Sequence, residues 1–162
     1  MLRDMLEDGV ISDYAIFGAV AQMRYTEAVS TMDADVLVGV VGEKRIDVLD
    51  PIYRYCSSKG YRPEGEALRV GSWPVQFIPA FSALTEEAMR EADVGQIEGV
   101  PIRVVRADHL AIIALSTGRP KDFARILSLL ESGSVSTDVL RRLAIRHGLS
   151  AEWRKFTTRF LE

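Results

Sequence analysis

The sequence predicts an α+β fold: a mixed β-sheet flanked by helices and followed by a C-terminal helical region. Three observations carry that expectation. The β-branched apolar runs, "ADVLVGVV" (residues 34–41) and "VPIRVV" (100–105), all fall before residue 107. Helical spacings stand between them without the strict alternation of a doubly wound parallel sheet. Beyond residue 106 every segment has helical spacing, bounded by capping residues and glycines. The expected division is therefore an α/β core over 1–106 and a helical region over 107–162, packed as one unit.

The elements follow in order. "LRDMLEDGVI" (2–11) reads as a short amphipathic helix stopped near Gly9, and "YAIF" (14–17) as an apolar strand broken by Gly18. "AVAQMRYTEAV" (19–29) has helical spacing. "ADVLVGVV" is a buried strand bounded by Gly39 and Gly42. Ile46, Leu49, Ile52, Tyr53 and Cys56 form one stripe of a helix ending at Gly60, which Pro51 either kinks or starts. "ALRVGSWPVQFIPA" (67–80) reads as two strands joined across Gly71-Ser72. "TEEAMREAD" (85–93) is a helix with Thr85 as its cap, and "VPIRVV" is one more strand. Asp108 caps a helix up to Gly118. A second helix runs from Lys121 to Glu131. Ser136 or Thr137 caps a third, and Ser150 the last.

Composition narrows the function classes. The chain has 162 residues, 48% hydrophobic and 27% charged, which suits one globular unit. No run approaches the ~18 apolar residues that span a bilayer. The N-terminus lacks a basic region followed by an apolar one, so no secretory signal is expected. One cysteine, Cys56, excludes an internal disulfide and a cysteine-based zinc cluster, and makes a cytoplasmic setting the default. Residues 1–110 carry 11 Lys+Arg against 18 Asp+Glu, whereas residues 111–162 carry 9 against 5. The basic C-terminal part is either a solvated face or a surface for a polyanion or nucleotide phosphate.

The candidate chemistry centres on "TMDADVLV" (31–38). In a strand, residues two apart share a face, so Asp33 and Asp35 stand roughly 6–7 Å apart at the backbone. Like charges that close repel, and burial strengthens the repulsion. A hard divalent cation such as Mg²⁺ offsets it directly. The other reading is a strand starting at Val36, with both aspartates in a solvated turn. Upstream, "YAIFGAVAQMRY" (14–25) gives a strand, Gly18 and a helix start. Glycine admits a ligand close to the backbone, and the helix's first amides suit phosphate. An anion site beside a metal site is the pairing that nucleotide chemistry needs.

Strand–Gly–helix followed by Asp-x-Asp between apolar residues resembles the nucleotidyltransferase superfamily of the DNA polymerase β type. "VRADHLAIIALSTGRPKDFARILSLLE" (105–131) is similar to the helical portion of stand-alone bacterial members, including the abortive-infection (AbiEii-like) toxin group. The resemblance implies that Asp33 and Asp35 hold Mg²⁺ or Mn²⁺. It implies that Gly18 and the amide of Ala19 contact the phosphates of a nucleoside triphosphate, and that Thr31 ties the loop to the strand. Arg119 and Lys121 become further phosphate candidates, with Asp122 as their partner. The implied reaction transfers a nucleotidyl group to an unidentified hydroxyl on RNA, protein or a small molecule.

Three positions depart from that pattern. Ala19 stands where the family pattern has Gly or Ser, so a serine hydroxyl contact to phosphate is missing. Gln76 stands where a third carboxylate is expected, and an amide cannot act as a base. Ala114 falls where the toxin-like group often has lysine. Glu66 on the neighbouring hairpin strand is a candidate replacement acid. These losses allow a second class of function: a catalytically impaired relative acting as a nucleotide-binding or toxin–antitoxin-type interaction module with a protein partner. His109 and His147 read as helix-end residues, and no HExxH pattern suggests zinc. Trp73 and Tyr25 either pack or stack on a base.

Overall fold

The computed structural model describes residues 1–42, 47–97 and 99–162. Among them, seven strands and eight helices follow one another as α1 (Leu2–Glu7), β1 (Ile11–Ile16), α2 (Gly18–Gln22), β2 (Ala34–Val40), α3 (Asp50–Ser58), β3 (Arg62–Glu64), β4 (Ala67–Val70), β5 (Trp73–Pro79), α4 (Ala83–Arg90), β6 (Asp93–Ile97), β7 (Val100–Val104), α5 (Ala107–Thr117), α6 (Pro120–Glu131), α7 (Thr137–Arg146) and α8 (Ser150–Phe160). The strands form one mixed sheet in the order β3-β4-β5-β2-β1-β7-β6. β2 pairs antiparallel with β1 and parallel with β5, and β1 pairs parallel with β7. The α+β expectation is met.

Strand parity sorts the core onto the two faces of the sheet. Tyr14, Val36, Val38, Val75 and Phe77 join Met5, Ile52 and Cys56 on one face, beneath α1 and α3. Ala15 and Leu37 face the other way and join Leu84, Ala88, Leu110, Ile126 and Phe156 from the later helices. α5 is buried continuously from His109 to Leu115, because sheet and helices enclose it. A helix apolar all round belongs in such a place. α8 closes the bundle, stacking Trp153 on Phe156 with ring centroids 5.7 Å apart.

Several boundaries differ from the sequence reading. β1 begins at Ile11, three residues before the expected start. α2 stops at Gln22, because the chain then turns to let the Tyr25 hydroxyl donate to the Val105 carbonyl. Tyr25 is thus held by a backbone bond across the fold. Pro51 lies in the first turn of α3 and starts the helix rather than kinking it. Ile46 lies outside the described residues. The cap of α4 is Ser82, with Thr85 as the reciprocal partner in a capping box. α5 starts one residue before Asp108, whose carboxylate instead accepts from the His109 amide. Ser136 does cap α7, accepting from the Val139 amide. The edge strands β3 and β6 were not expected.

Candidate functional site

Asp35 is the second residue of β2 and Asp33 precedes the strand by one residue. Asp35 shares strand parity with Leu37, so its carboxylate emerges on the face covered by α5 and α6. Both readings of the Asp pair therefore capture part of the arrangement: one aspartate is in the strand, the other in the bend before it. Thr31 donates to the Asp33 carbonyl at 3.0 Å and to its Oδ1 at 3.2 Å, holding that bend.

Gly18 packs directly against Asp35. It has φ +62°, and a Cβ there would overlap Asp35 Oδ2 and lie 3.0 Å from its Cγ. Glycine is required twice at this position, for the left-handed backbone and for the space. The Phe17 amide donates to the Asp35 carbonyl at 2.9 Å, fixing the end of β1 to the start of β2. Ala19 follows in α2, and neither Gly18 nor Ala19 is among the residues lining the cleft described next.

Asp33 and Asp35 open into a cleft of about 280 Å³, shared with Phe17, Gln76 and Ile78 from the sheet side. Its other wall is Ala114 and Thr117 of α5, with Arg119, Lys121, Asp122 and Arg125 at and within α6. Carboxylates thus face guanidinium and ammonium groups across a space large enough for phosphates. Gln76 is the registered neighbour of Asp35 in the parallel β2–β5 pair. Glu66 is exposed in the β3–β4 turn, two strands from β2, and does not line the cleft.

The electrostatics follow from this arrangement. Burial, and then the charge of Asp33, push the Asp35 carboxyl above the usual carboxylate range, while Arg125, Lys121 and Arg119 pull it back. A carboxylate pair in that condition suits a cation bound between or beside its members. Asp122 is 1% exposed and holds Arg119 through Nε at 2.6 Å and Nη2 at 3.2 Å. Arg125 Nη1 lies 3.8 Å from the same carboxylate, and its Nε donates to Gln22 Oε1 at 3.0 Å. Asp122 therefore orients the cationic wall. Arg125 was not singled out from the sequence, although it stands four residues after Lys121, on the same helix face.

Taken together, the sheet order, the helical layer and the cleft define a nucleotidyltransferase-like fold. The chain aligns with an antigenic nucleotidyltransferase-like protein from Paracoccidioides brasiliensis at 15% identity, covering 94% of this chain and 88% of that one, with a TM-score of 0.55. The antibiotic-resistance factor ANT(2'')-Ia aligns at 14% identity over 99% of this chain and 89% of its own, with a TM-score of 0.48. No protein-family model and no curated protein matches the sequence.

Proposed function

We propose that the protein binds a nucleoside triphosphate with Mg²⁺ in the α5–α6 cleft and transfers a nucleotidyl group to a hydroxyl acceptor. The observation that carries this reading is the Asp33–Asp35 carboxylate pair facing three cationic side chains across one cleft, with Asp35 seated against Gly18. The donor set fits the ion: Asp33 and Asp35 offer hard carboxylate oxygens, and Gln76 adds an amide oxygen beside them. Bound there, Mg²⁺ supplies charge neutralisation for the triphosphate and lowers the pKa of a ligated hydroxyl.

The chain's own residues do the rest. Gly18 leaves room for the Asp35 carboxylate to seat against the backbone at the cleft. Lys121 and Arg125, with Arg119 steadied by Asp122, attract the phosphates from the opposite wall. The acceptor oxygen bonds to the α-phosphorus in line with the departing oxygen. The bond to the β-phosphate breaks, and pyrophosphate leaves with the electron pair. Gln76 has no basic oxygen, and the acceptor's proton is released to solvent in the net reaction.

Gln76 and Ala114 favour a second reading, in which the same cleft binds nucleotide without turnover and the protein works as an interaction module of the toxin–antitoxin kind. The narrower likeness to the abortive-infection group rests on residues 105–131 and on Thr31. Calorimetry with Mg²⁺ and each nucleoside triphosphate tests the binding site. Wild type should bind only with the ion, and Asp33→Ala and Asp35→Ala should not bind. Equal binding by the variants overturns the site. Label transfer from nucleotide to any acceptor overturns the second reading.

A further inference from the structure

A second cluster of metal-type donors lies away from the cleft, where α4, α5 and α7 meet. Glu87 lies on α4 and Glu91 caps its C-terminal end four residues on, and His109 faces them from the first turn of α5. Their donor atoms all lie within 4.8 Å of one another. His109 Nε2 is 3.3 Å from Glu87 Oε1 and 4.0 Å from Glu91 Oε2. His147, just past α7, brings its Nε2 to 3.2 Å from the other Glu87 oxygen.

Two further features point to a ligand. His147 is only 7% exposed at its side chain, and its Nε2 is buried without a hydrogen-bond partner. A buried ring nitrogen aimed at a carboxylate without bonding it is an orphan that an ion would satisfy. His109 meanwhile places Nδ1 3.1 Å from Asp108 Oδ1, which orients Nε2 toward the two glutamates. A carboxylate behind an imidazole is the usual support for a metal-bound histidine.

We infer that Glu87, Glu91, His109 and His147 form a zinc-type site, independent of the nucleotide cleft. Two imidazoles and two carboxylates are borderline ligands suited to a first-row transition metal rather than Mg²⁺. Bonds of about 2.0–2.1 Å in a tetrahedron put neighbouring ligand atoms about 3.3 Å apart. The His109 Nε2–Glu87 Oε1 separation already matches, and Glu91 and His147, the latter now nearest the other Glu87 oxygen, close on the ion by side-chain rotation. The ligand charges neutralise the dication. Arg146, which also touches Glu87 Oε1 at 2.9 Å, is 60% exposed and free to swing into solvent. The ion would clamp α4, which packs on the sheet, to two helices of the C-terminal region.

The test is Co²⁺ and Zn²⁺ binding by the whole protein after chelator treatment. One equivalent of Co²⁺ should give the intense visible bands of a tetrahedral site, and Zn²⁺ should displace it while excess Mg²⁺ does not. Zn²⁺ should also raise the melting temperature. His147→Gln and the partly exposed Glu91→Gln should each weaken binding about 10–100-fold while keeping the wild-type circular dichroism. The Asp33→Ala/Asp35→Ala protein should bind Co²⁺ as wild type does, whether or not it binds nucleotide. Absence of the bands overturns the inference, leaving an ionic network around Glu87. So does undiminished binding by both ligand variants, or its loss in the aspartate variant.

Discussion

Substituting Gly18 by alanine probes the close approach that seats Asp35 at the cleft. The perturbation has two parts. Alanine at φ +62° pays the left-handed backbone penalty of about 1–2 kcal/mol. Its Cβ also overlaps Asp35 Oδ2 and sits 3.0 and 3.1 Å from Asp35 Cγ and Cβ, so the carboxylate must move. Displacing a packed side chain adds roughly 1–3 kcal/mol. Gly65 isolates the first part, having φ +63° and nothing within 4 Å of the point a Cβ would occupy. The expected losses by urea denaturation are therefore about 1–2 kcal/mol for Gly65→Ala and roughly 2–5 kcal/mol for Gly18→Ala. Calorimetry should show Gly65→Ala binding Mg²⁺-triphosphate normally and Gly18→Ala failing to bind. Equal destabilisation by the two, with triphosphate binding retained in Gly18→Ala, would refute the reasoning.

Gln76→Glu places a third acid beside Asp35. Without metal it should lower stability by on the order of 1–3 kcal/mol through repulsion between partly screened charges. With Mg²⁺ its melting temperature should rise more than that of wild type, as differential scanning calorimetry will show. Asp122→Ala removes the 1%-exposed partner of Arg119 and Arg125. Loss of a buried ion-pair member costs about 3–5 kcal/mol, and the half-exposed Arg119 reduces this to about 2 kcal/mol. Denaturant melts measure it, and weaker triphosphate binding should accompany it. The Tyr55 hydroxyl donates to Asp8 Oδ2 at 2.8 Å, which raises its pKa to about 12. The folded value exceeds the ordinary value of about 10, so this bond supports the fold fully below that pH and is lost as pH climbs through about 12. In an ultraviolet titration Tyr55 should ionise late, as should Tyr25 and Tyr53, which burial raises, and Asp8→Asn should bring forward Tyr55 alone.

The central elements were legible because their signals are local. "ADVLVGVV" and the hairpin at Gly71-Ser72 carry burial and turn chemistry in the residues themselves. β6 carries little of either: "DVGQI" is polar at its first and fourth residues and becomes a strand by pairing with β7. The expected extension of α2 failed against a tertiary contact, the Tyr25–Val105 bond, that no local pattern announces. At the cleft, Gly18, the aspartates and Gln76 follow from motif and register. Arg125 becomes meaningful only when α6 lies over β2. The Glu87–His109–His147 cluster draws on three helices, so its members look like unrelated helix-end residues until the bundle is assembled.

The place of β1 has a consequence for biosynthesis. Although it precedes the other strands of this sheet in the chain, it lies inside the sheet between β2 and β7. Its parallel partner enters through Ile16 and Val104, 88 residues apart in the chain. Until β7 leaves the ribosome, β1 presents an open edge beside the apolar face that α5 will later cover. Such an edge invites pairing with another chain. The nascent protein therefore has its greatest need of a chaperone while the segment between α3 and β7 is being synthesised, and long-range closure of this strand pair sets a slow pace for folding.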